Sequence, residues 1–319
     1  MPFFSILKKG RNKFFPISLQ SRLLTSINFY LAFLLFKYMI LIADSGSTKT
    51  DWRLIADDQK ITQAQSLGFN PNYESGEFIK SVQAQVLPKI SSPAKEIHFY
   101  GAGISTNKNH TITKEVLHTL FPEATIFANH DVLAAARALC GHDPGIACIL
   151  GTGSNACLYD GVKTTSRETN LGYIMGDEGS GYHLGKSLVT AYIHQELPDE
   201  LMRRFAKRYP QVNRVNLLEH LYHQPYPNRY LAGFTKFLFD YRQQPVIYRM
   251  VYECFSIFFD RYVTRLDNNQ SHSVHFVGSV AFYFSDILRQ VANDKNHRAG
   301  NILETPIAGL TLFHQQQLQ

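Results

Sequence analysis

The sequence predicts an α/β protein built from two related halves that face each other. At residues 39–56 an apolar strand runs into Asp44, then a turn of Ser, Gly and Thr residues, then a second strand. The same arrangement recurs about 105 residues later, where the apolar strand 146–150 is followed by a Gly/Ser/Thr turn and the strand 156–159. Around these pairs, segments with helical spacing alternate with short apolar strands. A chain of 319 residues is long enough for two domains, each with its own core.

The first half begins with a strand meander and continues with alternating helices and strands. Phe78, Val82 and Val86 recur at helical spacing in one segment. The loop before it contains Asn70-Pro71, and a Pro after Asn disfavours helix there. The predicted elements are strands 39–56 and 60–67, helix 74–90, strand 96–100, helix 113–121, strand 125–128 and helix 132–140.

The second half begins with the repeated strand pair and then becomes mostly helical beyond Gly172. A further apolar strand, 274–277, meets Gly278-Ser279 and a helix. Pro306 begins the closing helix, which suits the first helical turn, and this helix is expected to fold back on the first half. The predicted helices are 182–194, 199–209, 217–223, 231–241, 246–266, 282–291 and 306–315.

These elements divide the chain into a leader and two tightly joined domains. The leader is 1–38, the first domain is 39–143, and the second domain is 144–304 with a helical insertion. The closing helix within 305–319 belongs with the first domain.

The net charge of +6 is confined to the leader, which carries six of the 32 Lys and Arg residues and none of the 26 Asp and Glu residues. The rest of the chain is neutral, so its composition does not favour nucleic-acid binding. The apolar run 27–36 is too short to span a bilayer, which needs about 20 residues. We expect no stable membrane insertion and a dispensable leader, with a membrane-surface anchor and an export signal as alternatives.

The four cysteines indicate a reducing compartment. Their positions match neither a disulfide framework nor the Cys/His spacing of a zinc site. We therefore expect a cytoplasmic protein. The cysteines are Cys140, Cys148, Cys157 and Cys254.

Three turns rich in Gly, Ser and Thr each follow an apolar strand. They lie at Gly46–Thr50, Gly151–Asn155 and Gly278-Ser279. Backbone N–H groups and hydroxyls in such turns can point at one phosphate, while a carboxylate such as Asp44 faces its metal. Any one of these turns could be an ordinary hairpin turn. Three together predict a nucleotide-phosphate site built from both halves.

Three other features of the sequence bear on this interpretation. Gly185-Lys186-Ser187 resembles the end of a phosphate-binding P-loop, but the residue five positions before Gly185 is Ser180 and no apolar strand leads into it. Asp131 lies between a strand and an Ala-rich helix, where a carboxylate could simply favour the helix N-terminus. Asp177-Glu178 could also be an acidic pair at a helix start, but the small residues around it leave both carboxylates accessible to a polar ligand.

In this order and spacing, the motifs DSGSTKT (Asp44–Thr50), GTGSN (Gly151–Asn155) and GDEGSG (Gly176–Gly181) resemble the BadF/BadG/BcrA/BcrD-type ATPase family. Within it they resemble the N-acetylglucosamine kinase branch of the actin/Hsp70/sugar-kinase superfamily. The resemblance runs from Met39 to about His314 and leaves the leader out. Further similar stretches are Leu133–Gly141, Gln224–Ala232 and Phe276–Ala281.

The resemblance implies two RNase H-like domains with ATP and Mg²⁺ bound in the cleft between them. Asp44 would lie near Mg²⁺, and Gly278 and Ser279 would lie against the adenosine. The residues expected to hold the ATP phosphates are Gly46, Ser47, Thr48 and Lys49 in the first turn and Thr152, Gly153 and Ser154 in the second.

The resemblance also implies an amino-sugar substrate, with N-acetylglucosamine phosphorylated at its 6-hydroxyl. Asp131 occupies the position of the family's catalytic base, and Asn70, Asp177 and Glu178 fall where the kinase binds the sugar. Other amino sugars, including glucosamine and N-acetylmuramic acid, stay open.

Two other functions remain as alternatives on the same scaffold. One is an ATPase that activates a CoA-linked radical reductase or dehydratase through an iron–sulfur cluster, which needs surface thiolates. The other is a non-catalytic sugar sensor or repressor, which would need a helix-turn-helix segment and a basic face to bind DNA. A homodimer is suggested only by analogy with the family.

Overall fold

A computed structural model describes residues 39–46, 48–56, 58–165, 170–267 and 270–317, and Met39–Gln319 form one compact unit. The predicted leader, 1–38, and Ser47 lie outside the described residues. The strands are β1 (Met39–Ser45), β2 (Lys49–Ala56), β3 (Ile61–Leu67), β4 (Ala94–Gly101), β5 (Thr125–His130), β6 (Gly145–Leu150), β7 (Ser154–Tyr159), β8 (Thr164–Thr165), β9 (Val274–Val277) and β10 (Ala299–Leu303). The helices are α1 (Gly76–Gln85), α2 (Asn107–Leu120), α3 (Asp131–Cys140), α4 (Gly172–Met175), α5 (Gly181–Ile193), α6 (Asp199–Arg208), α7 (Arg214–Tyr222), α8 (Pro227–Ala232), α9 (Thr235–Asp240), α10 (Pro245–Phe258), α11 (Thr264–Leu266), α12 (Ser279–Tyr283), α13 (Ser285–Asp294) and α14 (Ile307–Gln316).

The strands form two five-stranded sheets with the same topology. Sheet A has the order β3-β2-β1-β4-β5, and sheet B has the order β8-β7-β6-β9-β10. In each sheet the first three strands are antiparallel neighbours, and the fourth and fifth run parallel to the first. The predicted α/β fold class and the repetition between the two halves are therefore confirmed.

The repeated strand–turn–strand units form the centre of each sheet. Every residue of β1 except Asp44 is buried, as expected for a central strand with both faces covered. The hairpin partners β2 and β7 carry the buried Trp52 and Tyr159. In each unit a tight turn joins the two strands, and the two turns belong to different sheets.

Some element boundaries differ from the sequence prediction. Helix α2 begins at Asn107, six residues before the predicted start, because the Thr106 side chain caps it by accepting a hydrogen bond from the Asn109 N–H. The short edge strands β8 and β10 were not predicted, since they have little apolar alternation. The predicted helix 231–241 is two helices separated at Gly233, and the predicted helix 246–266 contains a π-helical turn, Phe259–Val263.

Each sheet is followed by a helix that packs against the other sheet. Helix α3 follows β5 of sheet A, yet its buried side chains cluster with residues of sheet B such as Ala147 and Val277. Helix α14 follows sheet B and contacts α3, β1 and β2. The two helices cross closely, since a Cβ on Gly309 would lie 2.3 Å from the Ala138 carbonyl oxygen. None of the described helices is both long enough and apolar enough to cross a membrane.

Candidate functional site

The first Gly/Ser/Thr turn is held rigidly at the end of β1. Ser45 Oγ and Thr50 Oγ1 lie 2.9 Å apart across the hairpin, and the Gly46 N–H donates to the Lys49 carbonyl at 3.0 Å. The Gly68 N–H donates to the Thr48 carbonyl at 3.1 Å, which joins this turn to the loop that carries Asn70. Gly46 and Thr48 are exposed, as a ligand-binding turn requires.

Lys49 is also exposed, but its ammonium group is engaged within the hairpin. Its Nζ lies 2.9 Å from Asp51 Oδ2. The predicted phosphate contact of Lys49 would therefore require this ion pair to rearrange.

The second turn is fastened to the N-terminus of α5. The Gly151 N–H donates to the Gly153 carbonyl at 2.9 Å. The first two N–H groups of α5, those of Gly181 and Tyr182, donate to the carbonyls of Gly151 and Thr152 at 2.8 and 3.0 Å. The backbone of this turn is therefore positioned by the GDEGSG segment that follows it in the chain.

The two turns line one cavity of about 610 Å³ between the sheets. Gly46, Asn70 and Asp131 reach it from the side of sheet A. Thr152, Gly153, Ser154 and Asp177 reach it from the side of sheet B. Residues predicted from widely separated motifs are thus brought together in one cleft.

Ser154 lines this cleft and has an unpaired hydroxyl. Its side chain is buried, and its hydroxyl oxygen has no hydrogen-bond partner among the described residues. A buried hydroxyl without a partner is costly, so this group suits contact with a polar ligand.

Asp131 is the first residue of α3 and faces the cavity. The preceding His130 caps the helix, because its Nδ1 accepts a hydrogen bond from the Leu133 N–H at 3.1 Å. Burial raises the pKa of Asp131, and the backbone N–H groups at the helix start partly oppose this effect. A carboxylate with a raised pKa is a better proton acceptor.

Asp44 lies close enough to the carboxylates of Asp51 and Asp131 for their charges to raise its pKa. Burial, followed by the charges of Asp51 and Asp131, raises the pKa of Asp44 to about 7, with Lys49 acting in the opposite direction. The ammonium group of Lys49 offsets only part of the negative charge of these carboxylates, so a divalent cation near Asp44 would be stabilised. No cluster of three or more His, Cys, Asp or Glu side chains with metal-site geometry occurs in the described part of the chain. Mg²⁺ does not need one, because it is usually held by one or two carboxylates together with substrate phosphates and water.

Asp177 and Glu178, adjacent in sequence, are oriented differently. Asp177 lines the cavity in a left-handed conformation, φ 60°, and its Oδ1 accepts hydrogen bonds from the Ser154 N–H at 3.0 Å and from Asn170 Nδ2 at 3.1 Å. Burial raises the pKa of Asp177, while these two hydrogen bonds lower it.

Glu178, expected beside Asp177 at the sugar, has both carboxylate oxygens engaged elsewhere. Tyr262 donates its hydroxyl hydrogen to Oε2 at 2.6 Å, and Arg261 donates to Oε1. Glu178 does not line the cavity described above. It connects the GDEGSG turn to the π-helical turn that follows α10.

The third predicted turn contributes to a separate groove. Gly278 has φ +123° and lies against β6, where a Cβ would come within 2.3 Å of the Leu150 carbonyl oxygen. Ser279 begins α12 and lines a groove of about 360 Å³ with Phe239, Tyr283 and other residues. Gly278 and Ser279 are not among the residues that line the larger cavity.

The P-loop-like match has a packing explanation. Gly185 lies inside α5, where a Cβ would come within 1.9 Å of the Leu231 carbonyl oxygen of α8. The glycine therefore permits two helices to cross closely.

Sequence reasoning missed several residues of the cavity. Asn170, Tyr173 and Tyr226 line it together with Asn228 and Arg229. For Tyr226, Asn228 and Arg229 the only signal was the similarity of the segment Gln224–Ala232 to family members. That similarity did not indicate a role for any of these residues. They come from the helical insertion, and only the tertiary structure brings this insertion over the cleft.

The cysteines are free thiols away from the surface. All four are buried, and burial raises the pKa of Cys140 and Cys157 to about 12. Cys148 and Cys157 lie in β6 and β7, as predicted. Buried protonated thiols do not suit a surface iron–sulfur cluster.

Among the proteins similar to this chain are two solved structures and one curated kinase. No family profile matches it. A proposed N-acetylglucosamine kinase from Porphyromonas gingivalis is 38% identical, with a TM-score of 0.82 over 88% of this chain and 100% of that chain. A proposed N-acetylglucosamine kinase from Chromobacterium violaceum is 19% identical, with a TM-score of 0.66 over 86% of this chain and 98% of that chain, and it supports the fold alone.

The curated relative is the N-acetylmuramic acid/N-acetylglucosamine kinase of Clostridium acetobutylicum. It is 28% identical over 163 residues, so the matched region spans 49% of this chain and about half, 53%, of that kinase. The Porphyromonas protein is matched over its whole length at higher identity. The chain therefore belongs to the N-acetylglucosamine kinase branch of the BadF/BadG/BcrA/BcrD-type ATPase family.

Proposed function

We propose that the protein is an ATP-dependent amino-sugar kinase that phosphorylates the 6-hydroxyl of N-acetylglucosamine. One observation carries this proposal: a single cavity is lined by the Gly46 turn of one sheet, the Thr152–Ser154 turn of the other, and the Asp131 carboxylate. Phosphoryl transfer needs phosphate positioning and a proton acceptor, and this cavity offers both. Membership of the family supports kinase activity, and the names of the relatives supply the sugar.

ATP is proposed to bind with its phosphates between the two turns. The backbone of Gly46 and Gly153 and the unpaired hydroxyl of Ser154 are the groups offered to anionic oxygens. The adenosine is proposed to occupy the groove beside Ser279, whose walls include the ring of Phe239. An apolar groove with a few polar groups is typical of a site for a base.

Asp44 is proposed to hold Mg²⁺ on the side of the phosphates. The raised pKa of this carboxyl, caused by burial and then by the neighbouring carboxylates of Asp51 and Asp131, would fall when a cation binds. Mg²⁺, when bound, neutralises negative charge on the phosphate oxygens.

Asp131 is proposed to act as the general base. Its carboxylate accepts the proton of the sugar 6-hydroxyl while the hydroxyl oxygen bonds to the γ-phosphorus of ATP. The bond between that phosphorus and the bridging oxygen breaks, and ADP leaves. The His130 cap and the helix start fix the position of this carboxylate.

Asn70 and Asp177 are proposed to bind sugar hydroxyl and acetamido groups. Both line the cavity, and Asp177 is already oriented by Ser154 and Asn170. Glu178 is proposed to act indirectly, since its hydrogen bonds brace the turn that carries Asp177.

The use of ATP agrees with the cytoplasmic location expected from the sequence.

The two alternative functions have less support. An iron–sulfur activator needs accessible thiolates, whereas the four thiols are buried. A non-catalytic sensor has no use for a proton acceptor such as Asp131 beside the phosphate-binding turns.

A coupled assay of ADP release across a panel of amino sugars tests the proposal. N-acetylglucosamine should stimulate turnover and yield the 6-phosphate, identified by nuclear magnetic resonance. Asp131→Asn should lower kcat by roughly 10²- to 10⁴-fold, because the general base is lost.

Asp143→Asn is the matched control, since Asp143 is exposed and does not line the cavity. Its turnover should equal that of the wild type. ATP turnover that is indifferent to every sugar would contradict the proposal, and so would an Asp131→Asn variant with undiminished kcat.

A further inference from the structure

Two exposed tyrosines that line the cavity contact each other. The rings of Tyr73 and Tyr226 make an edge-to-face contact, with centroids 6.2 Å apart and planes at 69°. Tyr73 follows β3 of sheet A, whereas Tyr226 belongs to the helical insertion that follows β8 of sheet B. We call these residues the cross-cleft tyrosine pair. Both rings also line the cavity that contains Asp131 and Asp177.

Tyr73 is held by the same turn that presents Asn70 to the cavity. The Tyr73 N–H donates to the Asn70 carbonyl at 3.0 Å, and the Asn72 N–H donates to Asn70 Oδ1 at 3.0 Å. The backbone of Tyr73 therefore belongs to the same turn as Asn70, a proposed sugar ligand.

Tyr226 is held in an unfavourable backbone conformation. It has φ 60° and ψ 51°, although it precedes Pro227, and residues before proline favour an extended backbone. The Arg229 guanidinium lies 4.1 Å from the centre of its ring, and the Arg229 N–H donates to the Tyr226 carbonyl at 3.0 Å. Strained residues of this kind persist where surrounding contacts hold them, and they concentrate at ligand clamps.

Neither ring is part of a hydrophobic core. Tyr73 is 61% exposed and Tyr226 is 42% exposed. The fold therefore holds two large, partly exposed aromatic side chains at the cavity. An aromatic wall beside convergent polar groups is typical of a small-molecule site.

We propose that the cross-cleft tyrosine pair is a specificity-determining contact that closes over the amino sugar. This inference rests on the proposed kinase function. The pair holds the sugar in the cleft and excludes water from the γ-phosphate, so that the sugar hydroxyl and not water accepts the phosphoryl group. Because both rings act through one contact, loss of either ring has the same effect as loss of both.

Steady-state kinetics of Tyr73→Ala, Tyr226→Ala and the double variant test this inference. Each single variant should raise KM for N-acetylglucosamine roughly threefold to tenfold, the range that corresponds to one aromatic pair. KM for ATP should stay within about twofold of the wild type. The double variant should be no worse than either single variant, since contacting residues are not additive. The ratio of ATP hydrolysed to sugar phosphate formed should rise in all three.

Three controls keep a general structural defect apart from a lost contact. Tyr73→Phe and Tyr226→Phe keep the rings and should restore wild-type KM. Tyr222→Ala removes a tyrosine of α7 that is 76% exposed and does not line the cavity, and it should change nothing. Calorimetric titration with N-acetylglucosamine should reproduce the weaker affinity of the alanine variants without any turnover.

The outcomes separate this inference from the proposed function. If the wild type phosphorylates N-acetylglucosamine but the alanine variants match it in affinity and in hydrolysis, the pair has no role and the kinase function stands. Additive losses in the double variant, or an equal rise in KM for ATP, would also overturn the inference. A wild type that neither binds nor phosphorylates any amino sugar overturns both.

Discussion

Replacement of Gly153 by Ala would put a methyl group against the carboxylate of Asp177. An ideal Cβ on Gly153 lies 2.8 Å from Asp177 Oδ2 and 3.0 Å from Oδ1. An ordinary contact needs about 3.5 Å, so the carboxylate must move by roughly half an ångström or more. It has little freedom to do so, because Oδ1 accepts hydrogen bonds from the Ser154 N–H and from Asn170.

The expected cost in folding free energy is about 1–2 kcal/mol. Overpacking of a tight site costs about 1–3 kcal/mol, and weakened hydrogen bonds to the carboxylate are part of that cost. The loss of glycine entropy in the unfolded chain returns about 0.5 kcal/mol. Displacement of Asp177 should also weaken N-acetylglucosamine binding by about tenfold, which is the equivalent of one hydrogen bond of about 1.4 kcal/mol.

Gly151→Ala is the control within the same turn. A Cβ on Gly151 meets no atom within 4 Å, so the unfolding free energy should change by less than about 0.5 kcal/mol. Urea unfolding of the ligand-free proteins measures the stability difference. Calorimetric titration with the sugar, in the absence of nucleotide, measures the affinity of Gly153→Ala.

Equal stability of Gly153→Ala and the wild type would show that Asp177 yields freely, and the reasoning from its two hydrogen bonds would be refuted. A destabilised variant with unchanged sugar affinity would refute only the assignment of Asp177 to the sugar.

Three further predictions concern the helix crossing at Gly309, the buried His314 and the divalent cation. Gly309→Ala should destabilise the protein by about 3 kcal/mol, because its Cβ would meet the Ala138 backbone. Gly76→Ala is the control: its Cβ would meet no atom within 4 Å, so this change should be neutral or slightly stabilising. Urea unfolding measures both. Burial is the main cause that lowers the pKa of His314 to about 2 in the folded protein. As pH falls below about 6.5, the ordinary pKa of histidine, the unfolded state therefore binds a proton that the folded state does not, and the free energy of unfolding decreases. His314→Gln should therefore reduce the pH dependence of the unfolding free energy between pH 6 and 4 by up to ~1.4 kcal/mol per pH unit. Chelation of divalent cations should abolish sugar phosphorylation, and added Mg²⁺ should restore it.

Each of these predictions has an outcome that contradicts it. Similar stability of the Gly309 and Gly76 variants would mean that the crossing helices separate at little cost. A pH dependence that His314→Gln leaves unchanged would mean that this histidine titrates normally in the folded protein. Undiminished turnover in excess chelator would remove the metal role proposed for Asp44.

Features that depend on short segments of chain could be predicted from the sequence. The apolar strand at Ile40–Ala43 and its turn recur at 146–155, and both are local patterns that the structure confirms as the centres of two sheets. Asp131 could be placed at a helix start because a strand and an Ala-rich segment flank it. The family resemblance followed from the same short motifs.

Tertiary structure alone decided which side chains meet. Glu178 is adjacent to Asp177, yet the left-handed conformation at Asp177 sends the two carboxylates to different partners, and one of them is Tyr262, 84 residues away. Tyr73 and Tyr226 come from opposite sides of the cleft, and no periodicity connects them. Periodicity reports which face of an element is buried, whereas contacts across a cleft depend on how whole sheets and insertions pack.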